Sequence, residues 1–275
     1  MNTGVILPSD QGPGGGEPFE IGPDADERLA VPAIDVRLGD RIPLMFGDHA
    51  RQRIRRAVDR APAPITSIRV RLSDHHDSAV ANPFVAQADI ATSRAIRVQV
   101  TGMTLPEVVE ALQARTRSRL RSLARSGALR WERCGPQAST LLYVRPVRQR
   151  TVVRTKSFHL YHRTAADAAI DMALMDYPFE MFHESGVRTE SFLYQTAKGD
   201  YRLTRLDPRP PSIIPGDLPI TVNKAPAPEL DRYEALDRLA LSGAPFLFYR
   251  DRALARGCVL YHRYDGYFGF ITSRR

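Results

Sequence analysis

The chain has 275 residues, 43% hydrophobic and 25% charged, with a net charge of +8 and two cysteines, Cys134 and Cys258. That leaves room for two or three small domains with ordinary cores. It rules out a disulfide framework, and no apolar run approaches the roughly 20 residues of a membrane-spanning helix. The N-terminus lacks the basic start and apolar stretch of a secretory signal, so a cytoplasmic location is expected.

The charge is segregated along the chain. Residues 1–32 carry six acids against Arg28, a net −5, and are rich in Gly and Pro. They read as a disordered acidic tail. Residues 33–126 carry 16 arginines against nine acids, a net +7; residues 127–156 add a net +6; residues 157–275 are neutral. Genomic composition can explain why arginine is used in place of lysine, but not why it clusters. Clustered cations are the footprint of a polyanionic partner.

Within 33–126, "IDVRL" (34–38) alternates apolar and polar residues and predicts a strand. Residues 44–61 switch to helical spacing, with Ala50, Ile54, Ala57, Val58 and Ala61 on one face. Arg51, Arg53, Arg55, Arg56 and Arg60 lie off that face, and Pro62 and Pro64 end the helix. Residues 65–72, 84–92 and 95–101 alternate again as strands, with "SDHHDSAVANP" as the turn after the first of them. Thr104 with Glu107 forms a capping box for a second helix. Its buried stripe is Val109, Leu112, Thr116, Leu120 and Leu123, and Gly127 is its stop. Arg115, Arg117, Arg119, Arg121 and Arg125 fan over the remaining surface.

The order is β-α-β-β-β-α, two helices on one face of a four-stranded sheet, within an α+β chain. The other face presents Arg37, Arg69, Arg71 and Arg97. A single such arginine is ordinary solvated surface, but the set, shared by both helices and the sheet, predicts RNA binding. No exposed aromatic stripe marks the sheet, so phosphate and shape recognition are expected ahead of base stacking.

The C-terminal region repeats itself at an ungapped offset of 67 residues. Ala168 meets Ala235, Pro178-Phe179 meets Pro245-Phe246, Phe182 meets Tyr249, Leu193-Tyr194 meets Leu260-Tyr261, Gly199 meets Gly266, and Tyr201 meets Phe268. Two small β-rich copies of one β-α-β-β-β unit are predicted. Each holds roughly 55 residues, too few for a secure core alone. The two copies are expected to supply each other's partner surface. The aromatic residues Phe179, Phe182, Phe192, Tyr194, Tyr201, Phe246, Phe248, Tyr261 and Phe268 are assigned to packing within and between the copies.

The stretch "VVRTKSFHLYHRTAADAAIDMALMDYPFEMF…FLYQTAKGDYRL" resembles the C-terminal domain of the long-form bacterial ribosome hibernation-promoting factors. Residues 33–125 resemble that family's N-terminal domain in element order and basic helices. The resemblance implies an N-terminal domain that occupies the messenger and transfer RNA channel of the small ribosomal subunit, contacts its rRNA, and keeps the 70S ribosome idle under stress or dormancy. Typical long forms carry one C-terminal domain, which pairs with that of a second molecule. This chain carries two, and its connecting segment is basic.

The expected organisation is a tail (1–32), an rRNA-binding domain (33–126), a basic linker (127–151), copy 1 (152–206), a Pro-rich linker (207–218) and copy 2 (219–275). The copies are expected to pair within one chain, so a monomer is favoured. No cofactor, metal or membrane partner is expected. Neither "SDHHD" nor His159 with His162 has zinc spacing, and no nucleophile, Walker or dinucleotide motif occurs. A transcription regulator is the alternative, but it needs a recognition helix that this element order does not supply.

Overall fold

The computed structural model describes residues 32–59, 61, 63–75, 82–125, 151–196, 198–207, 218, 220–263 and 266–274, with the side chains of 122–125 outside that set. The acidic tail up to residue 31, Arg60, residues 76–81 of the "SDHHDSAVANP" turn, Gly127, the basic linker up to residue 150 and nearly all of the Pro-rich linker lie outside the described residues. Among the described helices none is long and apolar enough to cross a membrane. The chain divides into two compact units, Met1–Asp74 with Phe84–Ala128, and His75–Pro83 with Leu129–Arg275.

The first unit is built as the alternation dictates. Strands β1 (Ile34–Leu38), β2 (Ser67–Asp74), β3 (Phe84–Ala91) and β4 (Ala95–Gly102) form one sheet in sequence order. β1 and β2 are parallel, joined across helix α1 (Met45–Val58); the other pairs are antiparallel. Helix α2 (Leu105–Arg125) follows β4. Ile68, Val70 and Leu72 point to the helix side and are buried, as are Ala50 and Ile54 of α1 and Val108, Val109, Leu112 and Leu120 of α2. On the same side β3 presents Ala86, Ala88 and Ile90; short side chains there let α2 lie close to the sheet.

The start of α2 departs slightly from the expected capping box. Glu107 donates its N–H to Thr104 Oγ1 at 3.4 Å, but the Glu107 carboxylate accepts from Met103 N–H at 3.0 Å. The reciprocal bond is therefore shifted one residue outward.

The second unit contains β5 (Val152–Phe158), β6 (His162–Arg163), α3 (Ala165–Met175), β7 (Phe179–Glu184), β8 (Glu190–Gln195) and β9 (Tyr201–Arg205) from copy 1. Copy 2 supplies β10 (Ile220–Val222), β11 (Glu229–Leu230), α4 (Arg232–Ser242), β12 (Phe246–Asp251), β13 (Arg256–His262) and β14 (Phe268–Ser273). The 67-residue offset carries α3 onto α4 and β7 onto β12 residue for residue. Even the backbone follows it. Both helices open with a capping box, Thr164 with Asp167 and Asp231 with Glu234, and both end on a left-handed residue, Asp176 and Gly243. The non-glycine left-handed residues Arg188 and Ala255 also stand 67 apart.

The topology gives the form in which the copies supply each other's surface. The two sheets run β10-β9-β8-β7-β6 and β11-β12-β13-β14-β5. Each copy's first strand lies on the other copy's sheet. β5 pairs parallel with β14, with Phe270 opposite Thr155; β10 pairs parallel with β9, with Ile220 opposite Tyr201. The exchange is unequal. β5 runs for seven residues, whereas β10 runs for three and stops before Pro226 and Pro228, which have no N–H to continue a ladder.

Candidate nucleic-acid interface

The outer face of the first sheet resolves into two rungs of cross-strand neighbours. In one, Asp35, Arg69, Asp89 and Arg97 stand side by side across all four strands. Their signs alternate and neutralise. Asp35 lies 3.5 Å from Arg69, and Arg97 donates to Asp89 at 2.5 Å with its side chain 10% exposed. In the other rung Arg37, Arg71, Gln87 and Gln99 are aligned. It carries two positive charges and no acid, although Arg37 also leans back to Asp35 at 3.3 Å. Like charges placed directly opposite one another destabilise a sheet, and an anion bound there would offset that repulsion.

The helix surface divides in a similar way. Arg53 is half-buried and holds the helices together, donating to Glu110 at 3.0 Å and Gln113 at 3.3 Å. Arg117 donates to the Arg56 carbonyl at 3.3 Å. Arg51 pairs with Asp48 in its own helix. Arg115 and Arg119 are engaged in contacts of their own. Arg55, Arg56 and Arg121 are exposed and make no ion pair with a described residue. Arg60 and the Arg125 side chain lie outside the described residues.

These contacts sort the expected RNA-binding arginines by what each can still bind. Arg69 and Arg97 are compensated by carboxylates, and Arg53 and Arg117 are helix ties. Arg55, Arg56, Arg71 and Arg121 face solvent with no carboxylate against them among the described residues. Arginine in that state suits bidentate contact with phosphate oxygens. The alternation of β4 already turns Gln99 outward with Arg97, but Gln87, its neighbour on β3 in the cationic rung, was missed. Its signal was the outward register of β3, legible once Arg97 and Gln99 were placed outward.

In the second unit, strand alternation decides which aromatic residues meet. Phe179, Phe192 and Tyr194 share one face of the copy 1 sheet and contact copy 2. Phe246 lies 5.2 Å from Phe179, 5.3 Å from Phe192 and 5.2 Å from Tyr194, ring centre to ring centre. Phe192 and Phe248 stack at 5.1 Å, and Phe179 and Tyr261 stand 6.1 Å apart. Phe182, Tyr201 and Phe268 point to the opposite faces, because each is an odd number of residues from its interface neighbours on the same strand or pairs with one that is. Phe268 lies in the core beneath α4 with Ala235, Leu239 and Tyr249. On those faces Tyr201 and Phe268 stand opposite the exchanged strands, Tyr201 beside Ile220 of copy 2 and Phe268 beside Val152 of copy 1.

Polar contacts also cross between the copies. Glu190 on β8 accepts from Gly257 N–H and from Ser273 Oγ, the latter at 3.0 Å, and Asp207 pairs with Arg250. Within copy 1, Arg205 and Glu184 form a buried bidentate pair at 2.7 and 2.6 Å that Ser191 completes at 3.0 Å.

Comparison with known proteins finds relatives of this chain. A family profile described as Sigma 54 modulation/S30EA ribosomal protein C terminus matches residues 148–203. That stretch covers copy 1 from β5 into β9. Over 130 residues the chain is 35% identical to the protein named "Dormancy associated translation inhibitor" in two strains of Mycobacterium tuberculosis, CDC 1551 / Oshkosh and H37Rv. The match covers 44% of this chain and 47% of each relative, so the chain spans about half the length of the curated relatives it matches.

Proposed function

We propose that the chain is a long-form ribosome hibernation-promoting factor of the actinobacterial type, which binds the small ribosomal subunit through its first unit and inhibits translation; the match of copy 1 to the S30EA C-terminal profile and the 35% identity to the dormancy-associated translation inhibitors support this reading. The first unit would lie in the path of messenger and transfer RNA, hold rRNA phosphates, and keep the ribosome idle and protected under stress or dormancy. The observation that carries this reading is the set of cations with no carboxylate against them among the described residues, Arg71 on the sheet and Arg55, Arg56 and Arg121 on the helices, in a chain whose residues 148–203 match the S30EA C-terminal profile. The mode of action is occupancy, with no bond made or broken.

The reading is tested by sedimenting the full chain with purified ribosomes and by adding it to an in vitro translation reaction. Co-sedimentation with small subunits and 70S ribosomes is expected, together with loss of protein synthesis at stoichiometric protein. Binding to duplex DNA in preference to ribosomes would favour a transcription regulator. Full synthesis at an excess of protein over ribosomes would sink the proposal.

A further inference from the structure

Superposing the copies by their 67-residue offset shows what would happen if either copy met its own kind. Glu190 of copy 1 corresponds to Gly257 of copy 2, and in the structure these two positions face each other across the interface. The Glu190 carboxylate fills the space where Gly257 has no side chain, taking its N–H and the Ser273 hydroxyl. A Cβ on residue 257 would stand 2.7 Å from Glu190 Oε2. Two surfaces of the copy 1 type would therefore bring Glu190 against Glu190, with Leu206, the counterpart of Ser273, in place of the hydroxyl.

The second polar contact works the same way from the other side. Arg250 pairs with Asp207. The counterpart of Asp207 in copy 2 is Arg274, so two surfaces of the copy 2 type would set Arg250 against Arg274. Like charges brought together in a partly desolvated interface reject a partner more effectively than a missing contact does.

We propose that this interface is a heterotypic lock: Glu190 with Gly257 and Asp207 with Arg250 allow each copy to pair only with the unlike copy. The partner that fits copy 1 is a sheet with a glycine where Glu190 lands, a hydroxyl beside it and a cation opposite Asp207. A second chain can dock only by offering its copy 2 to the first chain's copy 1, and not by matching like surfaces. This deepens the expectation that the copies pair within one chain, and it is tested on free protein, so a failed ribosome assay leaves it untouched.

The test is a set of substitutions in the full chain. G257A carries the steric part of the change, which includes the Phe248 ring at 2.9 Å from the added Cβ. G257E adds a second carboxylate. Relative to G257A, G257E is expected to lower the thermal midpoint by roughly 5–10 °C and to raise the mass above one chain as the aromatic faces open. In the E190Q background the difference between G257E and G257A should shrink by at least half, because the like charge is gone. The lock is refuted if G257E is no worse than G257A. It is equally refuted if E190Q leaves the G257E penalty unchanged, including the case where G257E yields no folded protein in either background.

Discussion

At one strand position copy 1 carries a largely buried acid, Glu180, where copy 2 has Leu247. Glu180 sits between the sheet and α3, where Arg163 reaches both it, at 2.7 Å, and Asp171. The corresponding residues in copy 2 are Leu247, Leu230 and Arg238. Burial pushes the Glu180 carboxyl from 4.5 up to about 8, against the pull of Arg163, and Asp171 adds to the rise. The folded state therefore holds this proton at pH values where the unfolded chain has lost it. Stability from this group is greatest below about pH 4.5 and is lost as pH rises toward 8. E180Q removes the titration. It should match the parent near pH 5 and exceed it by about 1–3 kcal/mol at pH 8.5, read by denaturant unfolding at both pH values. Equal pH profiles for the two proteins would contradict the assignment. None of this was legible in the sequence, where Glu180 is simply the polar residue between Phe179 and Met181 in a strand.

The elements themselves were mostly legible. Period-two alternation placed β2 and β4, and the 3.6 period placed α1 and α2 with their buried faces, because each of these patterns reports a single buried side. What alternation could not rank was the arginines, since solvent exposure looks alike in sequence for a free cation, a paired one and a helix tie. The structure ranks them, and a test follows at this scale. Replacing Arg55, Arg56 and Arg121 with Ala should weaken ribosome binding and reduce the magnitude of the salt slope, d log K/d log[salt], by roughly 2–3, the release of two to three counterions. The change should leave the thermal midpoint nearly intact, because none of the three makes an ion pair with a described residue. R69A should change binding much less, because Asp35 already compensates that charge. If the triple variant keeps the parent's slope, the helices are not the RNA face, and the rung of Arg37 and Arg71 becomes the next surface to vary.

At the scale of the molecule, strand exchange makes the two copies inseparable without breaking main-chain ladders on both sheets. The Pro-rich tether of about a dozen residues sets an effective concentration on the order of millimolar, which favours closure within one chain. Light scattering of the full chain is expected to give the mass of one chain. Sucrose gradients of the bound complex are expected to show single ribosomes without a ribosome-pair peak. A stable chain dimer accompanied by ribosome pairs would mean that the exchange takes place between molecules.

The sequence alone determined the repeat, its offset, the α+β element order and the clustering of positive charge, because these are properties of residue type and spacing along one chain. Even the short β10 was foreshadowed, since Pro226 and Pro228 remove donors wherever the strand ends up. Only the tertiary structure decided which sheet each first strand joins, which arginines keep an acid beside them, and that Glu190 meets its own counterpart, Gly257. Those are facts about neighbours distant in sequence. Pairing register and the exchange of strands depend on how one copy's surface fits the other's, and no local period records that fit.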